Sequence, residues 1–174
     1  MKKNLRVIFG VLLIIISIFS LTGCFSRKEL KYEGDKFDIT FNVKAYNRYT
    51  ISKDSDARTT IEEKKVLLGD GFKIGIEEDL SVSYPENNGD FTKYSEGFKN
   101  EPEYLEVTYS GMKGFQKYYS AYNRYEIYLP IDKNDKVSVK LNVYSDKNDK
   151  NDLKKIFNSE DVQDILNNMV VTSK

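Results

Sequence analysis

Apolar and polar residues alternate along several stretches of the chain, and this period of two is typical of a β-strand with one buried face. Residues 37–43 carry an apolar side chain at every odd position. Residues 105–109 and 137–143 show the same alternation. These three stretches are predicted strands.

A turn signal joins two further apolar runs. Asp70 and Gly71 separate residues 66–69 from residues 72–76. An Asp-Gly pair between apolar runs predicts a hairpin with a type I′ turn, because both central residues of that turn need a positive φ. Residues 112–131 form another extended region, which we interpret as two strands bent near Asn123.

Helical spacing appears at three places. Phe91, Tyr94 and Phe98 predict a short helix that ends before Pro102. Near the carboxyl end, one apolar stripe ends at Phe157 and another starts at Val162, five residues later and out of phase. Two helices are therefore predicted there, and Ser159 caps the second. The stripes consist of Leu153, Ile156 and Phe157, and of Val162, Ile165, Leu166 and Met169.

The remaining stretches are polar or ambiguous. Residues 52–65 are predicted to form a loop with at most one helical turn, and residues 170–172 a final strand or a tail. The elements together predict one α+β domain, mainly antiparallel sheet with a few short helices that include a carboxyl-terminal pair.

The amino terminus has the pattern of a targeting signal. Residues 1–6 are basic, and residues 7–21 are apolar apart from Gly10, Ser17 and Ser20. This run of about 15 residues is shorter than the roughly 20 that a membrane-spanning helix needs. A cleaved signal peptide is therefore favoured over a permanent membrane span.

The residues after this run indicate lipidation. Leu21, Thr22 and Gly23 precede Cys24, and the four together resemble the lipobox of bacterial membrane lipoproteins. The resemblance implies cleavage before Cys24, a thioether-linked diacylglycerol on its sulfur, and acyl chains such as palmitate as the membrane anchor. Two or three acyl chains hold a protein on a bilayer stably, whereas one does not. No other cofactor is expected.

These features divide the chain into a signal peptide (residues 1–23), a lipidated cysteine with a flexible tether (residues 24–36) and an extracytoplasmic domain (residues 37–174). Removing residues 1–23 takes away Lys2, Lys3 and Arg6 and no acid, so a net charge of zero becomes −3. The expected location is the outer face of the cell membrane. The excess of lysine over arginine is associated with low-GC Gram-positive bacteria.

The order of elements in the mature region is similar to that of the PsbP-like or Mog1-like sandwich of small bacterial lipoproteins. The points of likeness are the hairpin at residues 71–74, the turn at residues 111–114 and the helix at residues 159–169. The resemblance implies an α+β sandwich. It implies little about mechanism, because members of the family include binding modules without catalytic activity.

One heptapeptide occurs twice with six of seven positions identical, as residues 45–51 and 121–127. If both copies are strands, Tyr46 and Arg48 share one face of the first copy, and Tyr122 and Arg124 share one face of the second. These four residues form a candidate strip for a ligand or partner, since guanidinium and phenol groups together bind carboxylates, phosphates or sugars. Packing on a sheet surface is the alternative.

Five tyrosines crowd residues 118–128. Strand alternation predicts Tyr119 and Tyr125 on one face of the sheet, and Tyr118, Tyr122 and Tyr128 on the other. One face must be core, and the other is either covered by a helix or an exposed aromatic surface.

The composition limits the chemistry. The chain has no histidine, which removes the usual general base and most zinc sites. The Asp/Asn loops at residues 132–136 and 146–150 do not fit a calcium loop, because from Asp146 onward Asn151 falls where Gly is needed and Phe157 where Glu is needed. No metal site and no basic nucleic-acid footprint are expected.

We therefore expect a lipid-anchored, non-enzymatic module that binds another envelope protein or a wall component. Two alternatives stay open. One is a histidine-free hydrolase of wall glycan, which needs two carboxylates facing each other across a cleft at about 5–9.5 Å. The other is a protective or immunity lipoprotein.

Overall fold

The computed structural model describes residues 26–52, 65–132, 136–147 and 149–174. The signal-peptide residues, the lipobox-like residues Leu21 to Cys24 and most of the predicted loop at residues 52–65 lie outside the described part. Among the described residues, none of the helices is long and apolar enough to span a membrane.

Ten strands and three short helices are present in the described residues. The strands are β1 Arg27–Glu33, β2 Phe37–Lys44, β3 Thr50–Ser52, β4 Lys65–Gly69, β5 Phe72–Asp79, β6 Leu105–Tyr109, β7 Met112–Tyr119, β8 Arg124–Asp132, β9 Val137–Ser145 and β10 Met169–Ser173. The helices are α1 Phe91–Glu96, α2 Lys150–Phe157 and α3 Glu160–Asn167, with 3₁₀ turns at Ser81–Ser83 and Ser120–Tyr122.

The strands form two antiparallel sheets. A seven-stranded sheet has the order β3-β4-β5-β9-β8-β7-β6, and a three-stranded sheet has the order β1-β2-β10. The predicted α+β class, with mainly antiparallel sheet and a carboxyl-terminal helix pair, is confirmed. The out-of-phase step between the two apolar stripes corresponds to a break between α2 and α3.

The main core lies between the two sheets. The inner face of the seven-stranded sheet packs against β2 and the apolar stripes of α2 and α3 in one continuous buried cluster. Burial follows the predicted alternation in β2, where every odd position from Phe37 to Val43 is fully buried. Ser159 caps α3 as predicted, and its side chain accepts a hydrogen bond from the Val162 N–H at 3.3 Å.

The predicted tether at residues 24–36 is wrong for residues 27–33, which form β1. This strand pairs with β2 over its whole length, from Arg27 opposite Lys44 to Glu33 opposite Asp38. Only Tyr32 of β1 is buried, with Leu30 partly buried against the same core, so the strand is held by backbone hydrogen bonding to β2 and by a short apolar contact. Strand structure is therefore present from Arg27 and does not begin only at Phe37.

The hairpin between β4 and β5 is confirmed, but its turn type is not. Gly71 has a φ of 81°, whereas Asp70 does not have a positive φ, so the turn is not type I′. The two positive φ values of a type I′ turn occur instead at Ser110 (50°) and Gly111 (80°), between β6 and β7.

Candidate functional site

The two heptapeptides do not form matching strands. The first copy crosses a loop, residues 45–49, and only then enters β3. The second copy starts in the 3₁₀ turn Ser120–Tyr122, passes through a left-handed Asn123 and enters β8 at Arg124. The candidate strip depends on both copies being strands, and this condition is not met, because the two copies have different backbone conformations.

The four candidate residues also differ in exposure. Tyr46 and Tyr122 are 66% and 45% exposed, and Arg48 is exposed in its loop. Arg124 is only 1% exposed and is one of the largest fully buried side chains. The structure thus places three of the predicted residues at the surface and the fourth inside the protein.

Aromatic rings surround the buried Arg124. Its guanidinium carbon lies 5.3 Å from the ring centre of Tyr119, 5.2 Å from that of Tyr122 and 5.8 Å from that of Tyr144. Its Nη1 also donates to the Tyr144 hydroxyl at 2.8 Å. Stacking on aromatic faces suits a guanidinium, which is planar and weakly hydrated.

Glu126 neutralises Arg124 from the same strand. The Nε and Nη2 of Arg124 donate to one Glu126 carboxylate oxygen, at 2.9 and 2.5 Å. Lys117 and Lys140 approach the same carboxylate to 3.3 and 3.5 Å, and the Tyr128 hydroxyl donates to it at 2.8 Å. Burial raises the pKa of Glu126, but the attraction of Lys140 and Arg124 outweighs it and the pKa lies below its ordinary value.

A second carboxylate completes this charge cluster on the outer face of the seven-stranded sheet. Glu77 forms an ion pair with Lys140 at 3.2 Å and accepts a hydrogen bond from the Asn142 amide at 2.7 Å. Among the described residues the Asn142 Oδ1 atom has no hydrogen-bond partner, although the residue is fully buried. The charge cluster comprises Glu77, Lys117, Arg124, Glu126, Lys140 and Asn142.

The single mismatch between the heptapeptides is at the residue that pairs with Arg124 in the second copy. Position six is Thr50 in the first copy and Glu126 in the second. Residues two apart in a strand share a face, so Glu126 lies beside Arg124 and offsets the cost of its burial. Arg48 has no carboxylate at the equivalent position, and it makes no ion pair with any residue of the described part.

The predicted division of the tyrosines between the two faces is also wrong. Tyr118 pairs directly with Tyr125 across β7 and β8, so both lie on the inner face, while Tyr128 lies on the outer face opposite Phe115. The reason is the reversal at residues 120–123, which breaks the alternation counted through the turn. Of this group only Tyr122 is an exposed large side chain.

An aromatic cover shields the other half of the outer face. Phe115 and Tyr128 stack with their ring centres 4.6 Å apart, and Phe98 stacks on both. The cover consists of Phe91, Tyr94, Phe98, Tyr104, Phe115 and Tyr128. The apolar spacing of α1 is visible in the sequence, whereas its contact with Phe115 and Tyr128 of the sheet is not.

An open cleft of about 500 Å³ runs between α1 and the strands β6 and β7. Its lining combines aromatic rings, hydroxyl groups and one charge of each sign, from Phe91, Thr92, Ser95, Tyr104, Glu106, Val107, Thr108, Lys113 and Gly114. The Tyr104 hydroxyl is buried and has no hydrogen-bond partner among the described residues. This volume is in the range of ligand sites in proteins.

The acids of the described residues do not form the arrangement expected of the alternative hydrolase in this cleft. The lining includes one carboxylate, that of Glu106. Glu77 and Glu126 are both paired with Lys140, yet they are buried in the charge cluster. Within the described part no group of three or more Asp, Glu or Cys side chains is placed to hold a metal ion.

Comparisons with known proteins give one partial match. No family model matches the chain, and no solved structure matches it. Argininosuccinate synthase of Nostoc punctiforme is 34% identical over 86 residues, which are 49% of this chain and 18% of the synthase. The chain thus matches less than a fifth of that enzyme's length.

Proposed function

We propose that this chain is a lipoprotein of the outer face of a bacterial membrane, anchored through Cys24, which binds a wall component or another envelope protein without catalysing a reaction. The binding role is carried by one observation, the open cleft beside α1, which is lined by aromatic rings, hydroxyl groups and one charge of each sign. The anchor is supported by the lipobox-like residues before Cys24.

The lining of the cleft fits an extended polymer better than an enclosed small molecule, because the cleft is open along its length. Phe91 and Tyr104 offer ring faces for sugar or apolar groups. Thr92, Ser95 and Thr108 offer hydroxyls, and Lys113 and Glu106 can each pair with an opposite charge. A hydrogen bond from one lining hydroxyl to a bound group is worth about 0.5–1.5 kcal/mol net.

The anchor is tested by replacing Cys24 with Ser in the full chain, produced in a bacterium that processes lipoproteins. We expect the wild-type protein to enter the detergent phase of a two-phase extraction and to carry the mass of a diacylglycerol. The Cys24→Ser variant is expected in the aqueous phase. Identical partition of the two proteins would contradict lipid anchoring.

Binding is tested with purified wall glycan in a co-sedimentation titration. Loss of the exposed Thr108 hydroxyl in Thr108→Val should weaken binding about 2- to 10-fold, the equivalent of one hydrogen bond. Valine has nearly the shape of threonine and also favours strands, so the fold should be unchanged. Thr172→Val is the matched control, since this exposed strand threonine lies outside the cleft lining.

An envelope protein as partner is tested in cells by a photo-crosslinking amino acid at position 91, with position 84 as the control. A discrete adduct from position 91 that is weakened in the Thr108→Val background supports binding in the cleft. The binding role would be refuted if wall glycan did not sediment the wild-type protein and if no adduct specific to position 91 formed.

A further inference from the structure

The loop of residues 45–49 lies at the end of the fold where β1 begins. Because β1 and β2 are antiparallel, Arg27 at the start of β1 is opposite Lys44 at the end of β2. The backbone N–H of Ala45 donates to the Ser26 carbonyl at 2.9 Å. The loop is therefore fixed beside the first described residue, which follows Cys24 by two positions.

This separation is short compared with the polar layer of a membrane. Two residues of fully extended chain reach about 7 Å. The headgroup region of one leaflet is about 5–8 Å thick, from the difference between the whole bilayer and its hydrocarbon core. A diacylglycerol on Cys24 would therefore hold the loop in or against the headgroup layer, with no spacer to lift it away.

The loop presents side chains suited to that layer. Tyr46 is 66% exposed, and tyrosine is enriched at membrane interfaces because it has an apolar ring and a polar tip. Arg48 is also exposed, and a guanidinium can bind a phosphate through two hydrogen bonds. The neighbouring cations are already paired, Arg27 with Asp164 at 2.7 Å and Lys44 with Glu160 at 2.5 Å.

The conformation of the loop is held from β1. The Lys28 ammonium donates to the carbonyl oxygens of Asn47 and Tyr49, at 2.7 and 3.3 Å. The Tyr49 ring packs edge-on against Phe72 in the core, with ring centres 5.7 Å apart. Tyr46 and Arg48 thus project from a fixed turn, so contact with a surface requires little ordering of the backbone.

We infer that residues 45–49 form a membrane-contact loop, in which Tyr46 enters the headgroup layer and Arg48 binds lipid phosphates. This inference rests on the proposed lipid anchor. It gives the domain a fixed orientation: Lys113 of the cleft is near the start of β7, whereas Tyr119 at the end of β7 lies toward the Tyr49 end. The cleft is therefore directed away from the bilayer.

The test uses Tyr46→Cys in the full chain, labelled with a thiol-reactive NBD fluorophore and reconstituted into vesicles of phosphatidylcholine and phosphatidylglycerol. Cys24 is the only native cysteine, and its thiol is consumed by the thioether, so the label reports position 46 alone. Tyr84→Cys is the matched control. Tyr84 is 54% exposed and follows β5. Glu78 of β5 accepts hydrogen bonds from the backbone N–H groups of Asp35 and Lys36, which follow the end of β1 that is opposite to the loop.

We expect a blue shift of the NBD emission at position 46 on reconstitution, and quenching by lipids that carry a nitroxide on the headgroup. The label at position 84 should show neither effect. Arg48→Gln in the Tyr46→Cys protein should reduce the quenching, and should do so more in phosphatidylglycerol than in phosphatidylcholine alone. An aqueous spectrum at position 46 equal to that at position 84, in a lipidated protein, would overturn the inference.

The wild-type chain separates this failure from failure of the anchor. With Cys24 lipidated, the wild-type protein takes up no label and has the mass of the lipid. Uptake of one label by the wild-type protein, with no added mass, would overturn the anchor and with it the membrane-contact loop.

Discussion

Replacement of Glu126 by Gln should destabilise the fold strongly without leaving a cavity. The two side chains have nearly the same volume, and the Gln amide oxygen can still accept the hydrogen bonds from Arg124. The amide nitrogen replaces the oxygen that accepts from Tyr128, so the variant lacks the negative charge and this one acceptor. In the wild type this charge is 3% exposed and lies within 2.5 to 3.5 Å of the cationic groups of Arg124, Lys117 and Lys140.

The magnitude follows from the burial of the groups that remain. The Arg124 and Lys117 side chains are 1% and 6% exposed, so neither can recover its hydration when the carboxylate is gone. Breaking a buried ion pair by removing one partner costs about 3–5 kcal/mol. We expect about 3 kcal/mol, at the lower end of this range because Gln keeps the hydrogen bonds from Arg124. This is a large share of the roughly 5–15 kcal/mol that stabilises a typical domain.

The effect should depend on pH in a defined direction. The pKa of Glu126 is below its ordinary value in the folded protein, so its charge stabilises the fold above the unfolded pKa. This contribution is lost as the pH falls through the folded value. The difference between wild type and Glu126→Gln should therefore be largest near pH 7 and shrink below pH about 4.

Urea unfolding followed by far-UV circular dichroism measures both effects. Glu106→Gln is the matched control, because Glu106 is an exposed glutamate on the same sheet and its replacement should change stability by less than about 0.5 kcal/mol. If Glu126→Gln were no more destabilising than Glu106→Gln at pH 7, the charge cluster would not contribute as described.

Two further substitutions test packing and capping. A Cβ atom on Gly114 would lie 2.0 Å from the Tyr128 carbonyl oxygen, so Gly114→Ala should force β7 and β8 apart and cost more than about 2 kcal/mol in the same urea assay. Gly97→Ala is its control, because the nearest atom there is at 3.4 Å and the change should be neutral; equal midpoints for the two variants would contradict the contact. Ser159→Ala removes the cap of α3 and should lower stability by about 1 kcal/mol, whereas Ser159→Asp should restore it.

Local pattern predicted those elements whose stability comes from an apolar face. β2 alternates in sequence and in burial, and α2 and α3 follow their apolar stripes. β9 alternates in sequence, although Ser138 and Asn142 on its other face are buried too. β1 was not predicted, because only one of its seven side chains is buried and its residues do not show an apolar alternation. Its pairing with β2 cannot be read from its own sequence. The type I′ turn was assigned to Asp70 rather than Ser110, because residue preferences alone do not set the register of two strands.

The charge cluster could be predicted only in part, for a related reason. Arg124 and Glu126 stand two apart, and a strand at this place puts them on one face, so their pairing was accessible from the sequence. Lys117 and Lys140 reach Glu126 from the neighbouring strands β7 and β9. These contacts could not be predicted without knowing the order of the strands in the sheet. The aromatic rings around the cluster come from several further segments. Tyr119, Tyr122 and Tyr144 surround Arg124, and the Lys117 ammonium lies 4.9 Å from the ring centre of Phe98.

The two arginines of the repeated heptapeptide have different roles, one structural and one at the surface. Both copies offer a tyrosine and an arginine, and a symmetrical function for the two is the natural first hypothesis. In the second copy, Glu126 stabilises the buried Arg124, which is part of the fold. In the first copy, Arg48 lies in the loop before β3 and is exposed, at the end of the domain that leads to Cys24. The two motifs are therefore best tested separately, Arg124 by its effect on stability and Arg48 by its effect on contact with lipid.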